Sequence, residues 1–255
     1  MMILPNVHDG FQLSDVTVQY GAVLALNRVS LSIDAGEHVA FIGPSGSGKT
    51  TLLRLLNGMV RPKNGCVMAQ GKQVADLSPG HLRELRSQIG FIHQDLCLVP
   101  SLRVIRNVMS GGLSRKSLIG AVRAMICPDR RESLEVHRIL ERVGIAEKLY
   151  ERTDRLSGGQ QQRVAIVRSL FQHPRALLAD EPVSSVDPVR AHRTVSLLTR
   201  ICREQLLTLC VSLHNTELAQ SCFQRLIGLR DGAIVFDCPS DQVGDTELNQ
   251  LYRIG

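Results

Sequence analysis

The chain has 255 residues, with 30 Lys plus Arg against 24 Asp plus Glu and a formal net charge of +6. Hydrophobic residues at 44% and charged residues at 21% allow a sizeable core and exclude general disorder. No run approaches the roughly 18 consecutive apolar residues that a membrane span requires. The start, MMILPNVHDG, lacks a basic region followed by an apolar run and a cleavage site, so no secretory leader is expected. Seven scattered cysteines, odd in number and never spaced Cys-x-x-Cys, argue against a disulfide framework or a zinc site and fit reduced thiols of a cytosolic protein. Aromatic residues at 4%, with no Trp, leave no stacking platform for single strands, and no nucleic-acid partner is expected.

The first forty residues predict strands, with Phe11, Leu13, Val16 and Val18, then Val29, Leu31 and Ile33, mostly two apart. Val39 to Ile42 is a continuous apolar run, the pattern of a strand buried on both faces. A glycine-rich turn and a helical pattern in Leu52, Leu53, Leu55 and Leu56 follow it. Residues 60 to 77 predict a hairpin, Ser78 an N-cap for a short helix through Arg86, and Ile89 to Ile92 another strand. From 96 to 156 the patterning is helical, as in Val136, Ile139, Leu140 and Val143, which predicts an insertion. Gln160 to Gln172 predicts a helix stopped by Pro174, Ala176 to Ala179 a buried strand, and Leu206 to Leu213 another, separated by a helix that begins after Pro188. Strands alternating with helices imply a parallel sheet with crossover helices.

Positions 43 to 50, Gly43-Pro44-Ser45-Gly46-Ser47-Gly48-Lys49-Thr50, satisfy Gly-x4-Gly-Lys-[Ser/Thr] and are followed by Thr51. Glycines let backbone N–H groups curl around phosphate oxygens while the helix presents its positive end to the same anion. Lys49 can reach the β and γ phosphates, and the Thr50 hydroxyl can ligate Mg²⁺. Such a loop needs a carboxylate opposite. Asp180, at the end of the 176–179 run, can hold Mg²⁺ through water, and Glu181 can polarise an attacking water.

Together with GPSGSGKT, LLADEP and SSVDP, the segment LSGGQQQR at 156–163 resembles the ATP-binding cassette of ABC transporters, over nearly the whole chain. The resemblance implies an α/β P-loop NTPase (RecA-like) core with a parallel sheet, an antiparallel β subdomain and a helical insertion subdomain. Residues 1–255 would form one domain, with 1–95 and 157–255 as the nucleotide-binding core and 96–156 as the helical part that contacts a permease. It implies ATP and Mg²⁺ as cofactors and a dimer with a second copy that sandwiches ATP. Leu156, Ser157, Gly158, Gly159 and Gln160 would then grip the opposite subunit's nucleotide. Tyr20 resembles the aromatic that stacks on adenine, and Gln94 the residue that touches Mg²⁺ and reports to the insertion. Asp187 resembles the loop aspartate before a helix, with Ser185 and Val186 replacing the commoner Ala-Leu, and His214 the switch histidine of the γ-phosphate.

Three functions compete: the ATPase subunit of a membrane importer, a soluble ATPase acting on nucleic acid, and the ATPase of an exporter or lipoprotein-release system. Long coiled-coil insertions, a zinc hook or a second cassette would mark the second, and none is present in the sequence. Residues 96 to 126 hold Arg103, Arg106, Arg115, Lys116 and Arg123 with no acidic residue, a basic run expected to suit a partner's loops or acidic headgroups. FIHQDLCLVPSLRVIRNVMSGGL with its long connector SRKSLIGAVRAMICPDRRE is similar to the ATPase of phosphonate importers, with amino-acid and phosphate importers as alternatives. That similarity implies a peripheral protein on the cytoplasmic face of the inner membrane, working with permease subunits and indirectly with a substrate-binding protein.

Overall fold

The computed structural model describes residues 10–117, 119–122, 129–183 and 187–252. The alternating segments at the start form an antiparallel pair, β1 (Phe11–Tyr20) and β2 (Val23–Ile33). The step of three from Leu13 to Val16 breaks the period of two. Here the register shifts and Asp15 takes φ 50°, so a bulge keeps both apolar side chains buried. β4 (Asn64–Ala69) and β5 (Lys72–Gln73) complete a four-stranded sheet in the order β2-β1-β4-β5.

The second sheet contains β3 (His38–Ile42), β6 (Ile89–Ile92), β7 (Ala176–Asp180), β8 (Thr208–Leu213), β9 (Arg225–Arg230) and β10 (Ala233–Pro239). Their order is β10-β9-β3-β8-β7-β6, parallel except for the β9–β10 pair. The continuous apolar runs follow from cover on both faces. Val39 and Phe41 of β3, Leu178 of β7 and Cys210 of β8 join one core, shared with the first sheet and with α1 (Lys49–Leu56) and α2 (Pro79–Ser87). Ala40, Ile42, Leu177, Ala179, Leu209 and Val211 join the other. Helices α3 (Val104–Ser110), α4 (Arg130–Arg142), α5 (Gly158–Leu170), α6 (Pro188–Glu204) and α7 (Thr216–Cys222) pack on that second face.

β8 begins two residues later than its apolar run, because Leu206 is exposed at φ 55° in the turn after α6. The helix predicted over 160–172 runs from Gly158 to Leu170, with Ser157 as its N-cap. Neither β9–β10 nor α8 (Asp245–Tyr252) is anticipated from the pattern. Arg225 fixes that hairpin: it donates to both carboxylate oxygens of Asp237 at 2.7 Å, to Glu37 at 2.8 Å and to the Ser32 carbonyl at 3.0 Å. The six described cysteines are all free, and burial pushes the Cys202 thiol up to about 12.

One charge of the insertion's basic run is neutralised within the chain. Lys116 pairs with Glu132, and Arg115 donates to the Phe171 carbonyl at 2.8 Å. Arg103 remains exposed, and Arg123 lies outside the described residues. Asn107, 1% exposed, clamps the segment before α3: its Oδ1 accepts from Val99 N at 2.8 Å, and its Nδ2 donates to Val99 O at 2.9 Å and Thr153 Oγ1 at 2.8 Å. Asn107→Ala is expected to lower stability by about 2–4 kcal/mol, since it strands partly buried partners. A urea midpoint matching the unsubstituted chain would show that water replaces the clamp.

Candidate functional site

Parallel register sets the site. Ile42 lies opposite Leu213, Ser212 opposite Asp180, and Ala179 opposite Ile92. The carboxyl ends of β3, β8, β7 and β6 therefore lead, along one edge, into the 43–48 loop, His214, Glu181 and Gln94. Open α/β sheets bind ligands in that crevice.

The loop after β3 ends at Gly48, the N-cap of α1, with φ 105°. A Cβ there would lie 2.6 Å from the Ala25 carbonyl oxygen, so both backbone angle and space require glycine. No side chain caps the first turn of α1 and no acidic residue occupies it. Its N–H groups and the positive helix end are thus directed at the crevice, as an anion seat requires. Ser47 Oγ is buried without a hydrogen-bond partner among the described residues, a hydroxyl matched to a phosphate oxygen. Lys49 is buried and folded back on the loop, donating to Gly43 O at 2.8 Å and Pro44 O at 2.9 Å. Burial pushes its ammonium below the ordinary lysine pKa, while the carboxylates of Glu181 and Asp180 pull it upward.

Asp180, 4% exposed, accepts on Oδ1 from Thr50 Oγ1 at 3.0 Å and from Ser212 Oγ at 2.8 Å. Ser212 also accepts from the backbone N–H of Glu181 at 2.8 Å. Glu181 stands at φ 46°, a left-handed conformation that costs a non-glycine residue about 1–3 kcal/mol and clusters at working sites. Its Oε1 is 2.5 Å from Nε2 of His214. Ser212 is the residue that sequence reasoning passed over. Its signal was a hydroxyl near the end of the buried TLCVSL run, where a polar atom needs a partner.

A cavity of about 330 Å³ joins residues 45–51 to Gln94, Glu181 and His214, with Val23, Leu24 and Ala25 as its third wall. Tyr20 is 47% exposed at the end of β1 and lies outside that lining, although its strand partner Val23 belongs to it. A larger cavity of about 500 Å³ lies on the other side of Glu181 and His214, among Val183, Leu213 and Leu218. It has no part of the glycine loop, so the smaller one is the cavity whose lining suits a phosphate.

The signature segment lies elsewhere. Leu156 is buried, and Ser157 caps α5 in a reciprocal pair with Gln160, accepting from its N–H at 3.4 Å and donating its own N–H to Oε1 at 3.0 Å. A Cβ on Gly158 or Gly159 would meet nothing within 4 Å, so nothing within this chain demands their small size. None of the five residues 156–160 lines the phosphate cavity. Asp187 caps α6, accepting from Arg190 N at 3.0 Å. Ser185 and Val186 lie outside the described residues.

The donors around the seat fit a magnesium nucleotide. Thr50, Asp180 and Gln94 offer a hydroxyl, a carboxylate and an amide, hard oxygens of the kind Mg²⁺ takes together with phosphate oxygens. When bound, that ion neutralises phosphate charge.

Residues 26–184 match the family profile described as ABC transporter. The chain is 45% identical to the phosphonates import ATP-binding protein PhnC of Pseudomonas fluorescens, over 90% of this chain and 86% of that protein. It is 44% identical to the protein of the same name in Frankia casuarinae, covering 94% of each. A third, from Anaeromyxobacter dehalogenans, is 46% identical over 92% of this chain, which spans about half (46%) of that relative's length. Among solved structures, cbiO1 from Clostridium perfringens, part of the ABC transporter complex cbiONQ, superposes with a TM-score of 0.81 at 26% identity, covering 94% of this chain and 92% of that one. The dimeric post-hydrolysis state of the ATP-binding cassette MJ0796, bound to ADP and Pi, superposes with a TM-score of 0.74 at 32% identity, covering 90% of this chain and 98% of that one.

Proposed function

We propose, since the chain belongs to the ABC transporter family, that it is the ATP-hydrolysing subunit of a membrane importer for phosphonates or related phosphorus oxyanions. One observation carries the catalytic part: a single buried serine, Ser212, ties the Asp180 side chain and the Glu181 backbone to the carboxyl end of β8. That tie sets one carboxylate against Thr50 and the other against His214. Residues 43–51 bind the triphosphate, with Lys49 on its terminal phosphates, and Thr50, Asp180 and Gln94 hold Mg²⁺. Glu181 orients and deprotonates the attacking water, while His214 steadies Glu181 and contacts the γ-phosphate. Tyr20, at the turn beside Val23, meets the adenine side. The relatives' shared name supports the phosphonate assignment.

Leu156, Ser157, Gly158, Gly159 and Gln160 act on the nucleotide of a second copy, with Asp187 at the same junction. The empty space around Gly158 and Gly159 supports this, because small residues there leave room for a ligand held by another chain. Residues 1–95 with 157–255 serve as the nucleotide-binding core, and 96–156 as the part that docks on permease subunits. No described helix is long and apolar enough to cross a membrane, so the permease supplies the membrane anchor. The protein is then peripheral at the cytoplasmic face of the inner membrane, and a separate binding protein delivers the substrate.

Gln94 leads from the Mg²⁺ site toward the insertion. Gln94→Ala is expected to cut MgATP turnover about 10–100-fold, the worth of a hydrogen bond to a charged group, and to abolish transport. Arg103→Glu should weaken permease assembly while sparing basal hydrolysis. The check is growth on a phosphonate as sole phosphorus source beside phosphate release by each variant. Unchanged growth of the Arg103 variant would remove that face from coupling. Hydrolysis by the wild type with growth on phosphonate unaffected by its deletion would overturn the substrate class.

A further inference from the structure

Among the described residues, three metal-ligating side chains outside the phosphate seat converge where β6 ends. His93, Asp95 and Cys97 each place one ligand atom within 4.8 Å of the others. The backbone brings them together: Leu96 N donates to His93 O at 2.9 Å, and Leu96 and Cys97 take φ 58° and 44°. Arg168 holds the turn, donating to the carbonyls of Cys97 at 2.5 Å and Leu96 at 2.6 Å. The His93 ring is fixed against Phe91, with centroids 4.5 Å apart. Cys97 Sγ donates to Asp95 Oδ1 at 2.9 Å, and Cys97 is the exposed member of the six described cysteines. The expectation from Cys-x-x-Cys spacing missed this group because its donors are of three kinds, spaced His-x-Asp-x-Cys.

Imidazole, carboxylate and thiolate together suit a borderline divalent cation. Zinc bonds of roughly 2.0–2.3 Å place tetrahedral donors about 3.3–3.7 Å apart, so small side-chain rotations close the present cluster. On binding, the Cys97 thiol proton leaves to solvent, the S–H···O bond to Asp95 breaks, and sulfur and oxygen both ligate the ion. The carboxylate and thiolate offset its charge, and a fourth position stays open to water. Gln94 lies between two of the ligands.

We propose that His93, Asp95 and Cys97 form a site for one divalent cation of the zinc class, and that its occupancy restrains Gln94 and slows hydrolysis; the second half rests on the role of Gln94 given above. The test uses the full chain free of nucleotide, titrated with Co²⁺ and competed with Zn²⁺. One equivalent of Co²⁺ should raise a thiolate-to-cobalt charge-transfer band that Zn²⁺ abolishes, which the oxygen donors of Thr50 and Asp180 cannot produce. Cys97→Ser keeps the hydrogen bond to Asp95 and should lose the band, and His93→Gln should weaken Zn²⁺ at least the ~10–100-fold that loss of even an outer partner costs. In MgATP hydrolysis, equimolar Zn²⁺ should slow the wild type about tenfold and leave Cys97→Ser unchanged, a difference of about 1.4 kcal/mol. No band, or a band that survives in Cys97→Ser, would overturn the site. Equal Zn²⁺ inhibition of both proteins would overturn the restraint. A wild type that hydrolyses nothing would refute the ATPase reading instead, because the cobalt band is read without nucleotide.

Discussion

Glu181→Gln is expected to bind ATP as the wild type does and to lose about 10²–10⁴-fold in turnover, the usual contribution of a positioned general base. The amide keeps the volume of the carboxylate and leaves the phosphate seat untouched. The backbone N–H of residue 181 still donates to Ser212, so Asp180 stays in place. What disappears is the charge that accepts a proton from water; the amide oxygen can still accept from His214 Nε2, which lies 2.5 Å from Oε1 of the glutamate. The loss should therefore fall on kcat, with nucleotide affinity preserved or improved because bound ATP accumulates. Equilibrium binding of labelled ATP beside single-turnover phosphate release measures both. Turnover within threefold of wild type would remove Glu181 from the water-activating role.

Mixing two inactive chains is expected to restore hydrolysis. Lys49→Ala removes the ammonium from the glycine loop, and Ser157→Arg fills the open space at the start of α5. Each variant alone leaves both composite sites of a two-fold dimer defective. An equal mixture places half of the molecules in mixed dimers with one intact site each, so about a quarter of wild-type activity should return if the sites act independently. No recovery in the mixture would overturn the shared-site model. Because Ser157 forms a reciprocal cap with Gln160, thermal melting of the Ser157 variant separates a lost helix start from a lost contact.

The parts of this protein legible in the sequence are those whose chemistry depends on neighbours along the chain. The strand, glycine loop and helix at 39–56 are contiguous, and Ser78 with Pro79 announces α2 through a local capping bond. Asp180 and Glu181 were legible because a fully buried strand ends in charge. Ser212 was not, since its partners lie across a parallel pairing visible only in three dimensions. The β9–β10 hairpin escaped for a related reason: Arg225 stabilises it through Asp237, Glu37 and Ser32, of which the last two are distant in sequence. That Lys116 in the basic run at 96–126 has an acidic partner was not legible there, because Glu132 sits beyond the run. Asp15 shows the opposite case, a broken period that a bulge repairs.

The folded-back Lys49 makes the glycine loop self-ligated. Its ammonium already has two carbonyl oxygens of its own chain, those of Gly43 and Pro44, as acceptors. A phosphate entering the crevice competes with these oxygens for the same cation, so binding is an exchange of acceptors rather than the capture of an idle charge. Hydrogen bonds to charged groups contribute about 1.5–3 kcal/mol each, and that amount is returned to the loop whenever phosphate departs. In the proposed role, the lysine would favour turnover over retention: it would tighten on a terminal phosphate carrying more charge than a carbonyl and relax onto the Gly43 and Pro44 carbonyls once that phosphate is gone.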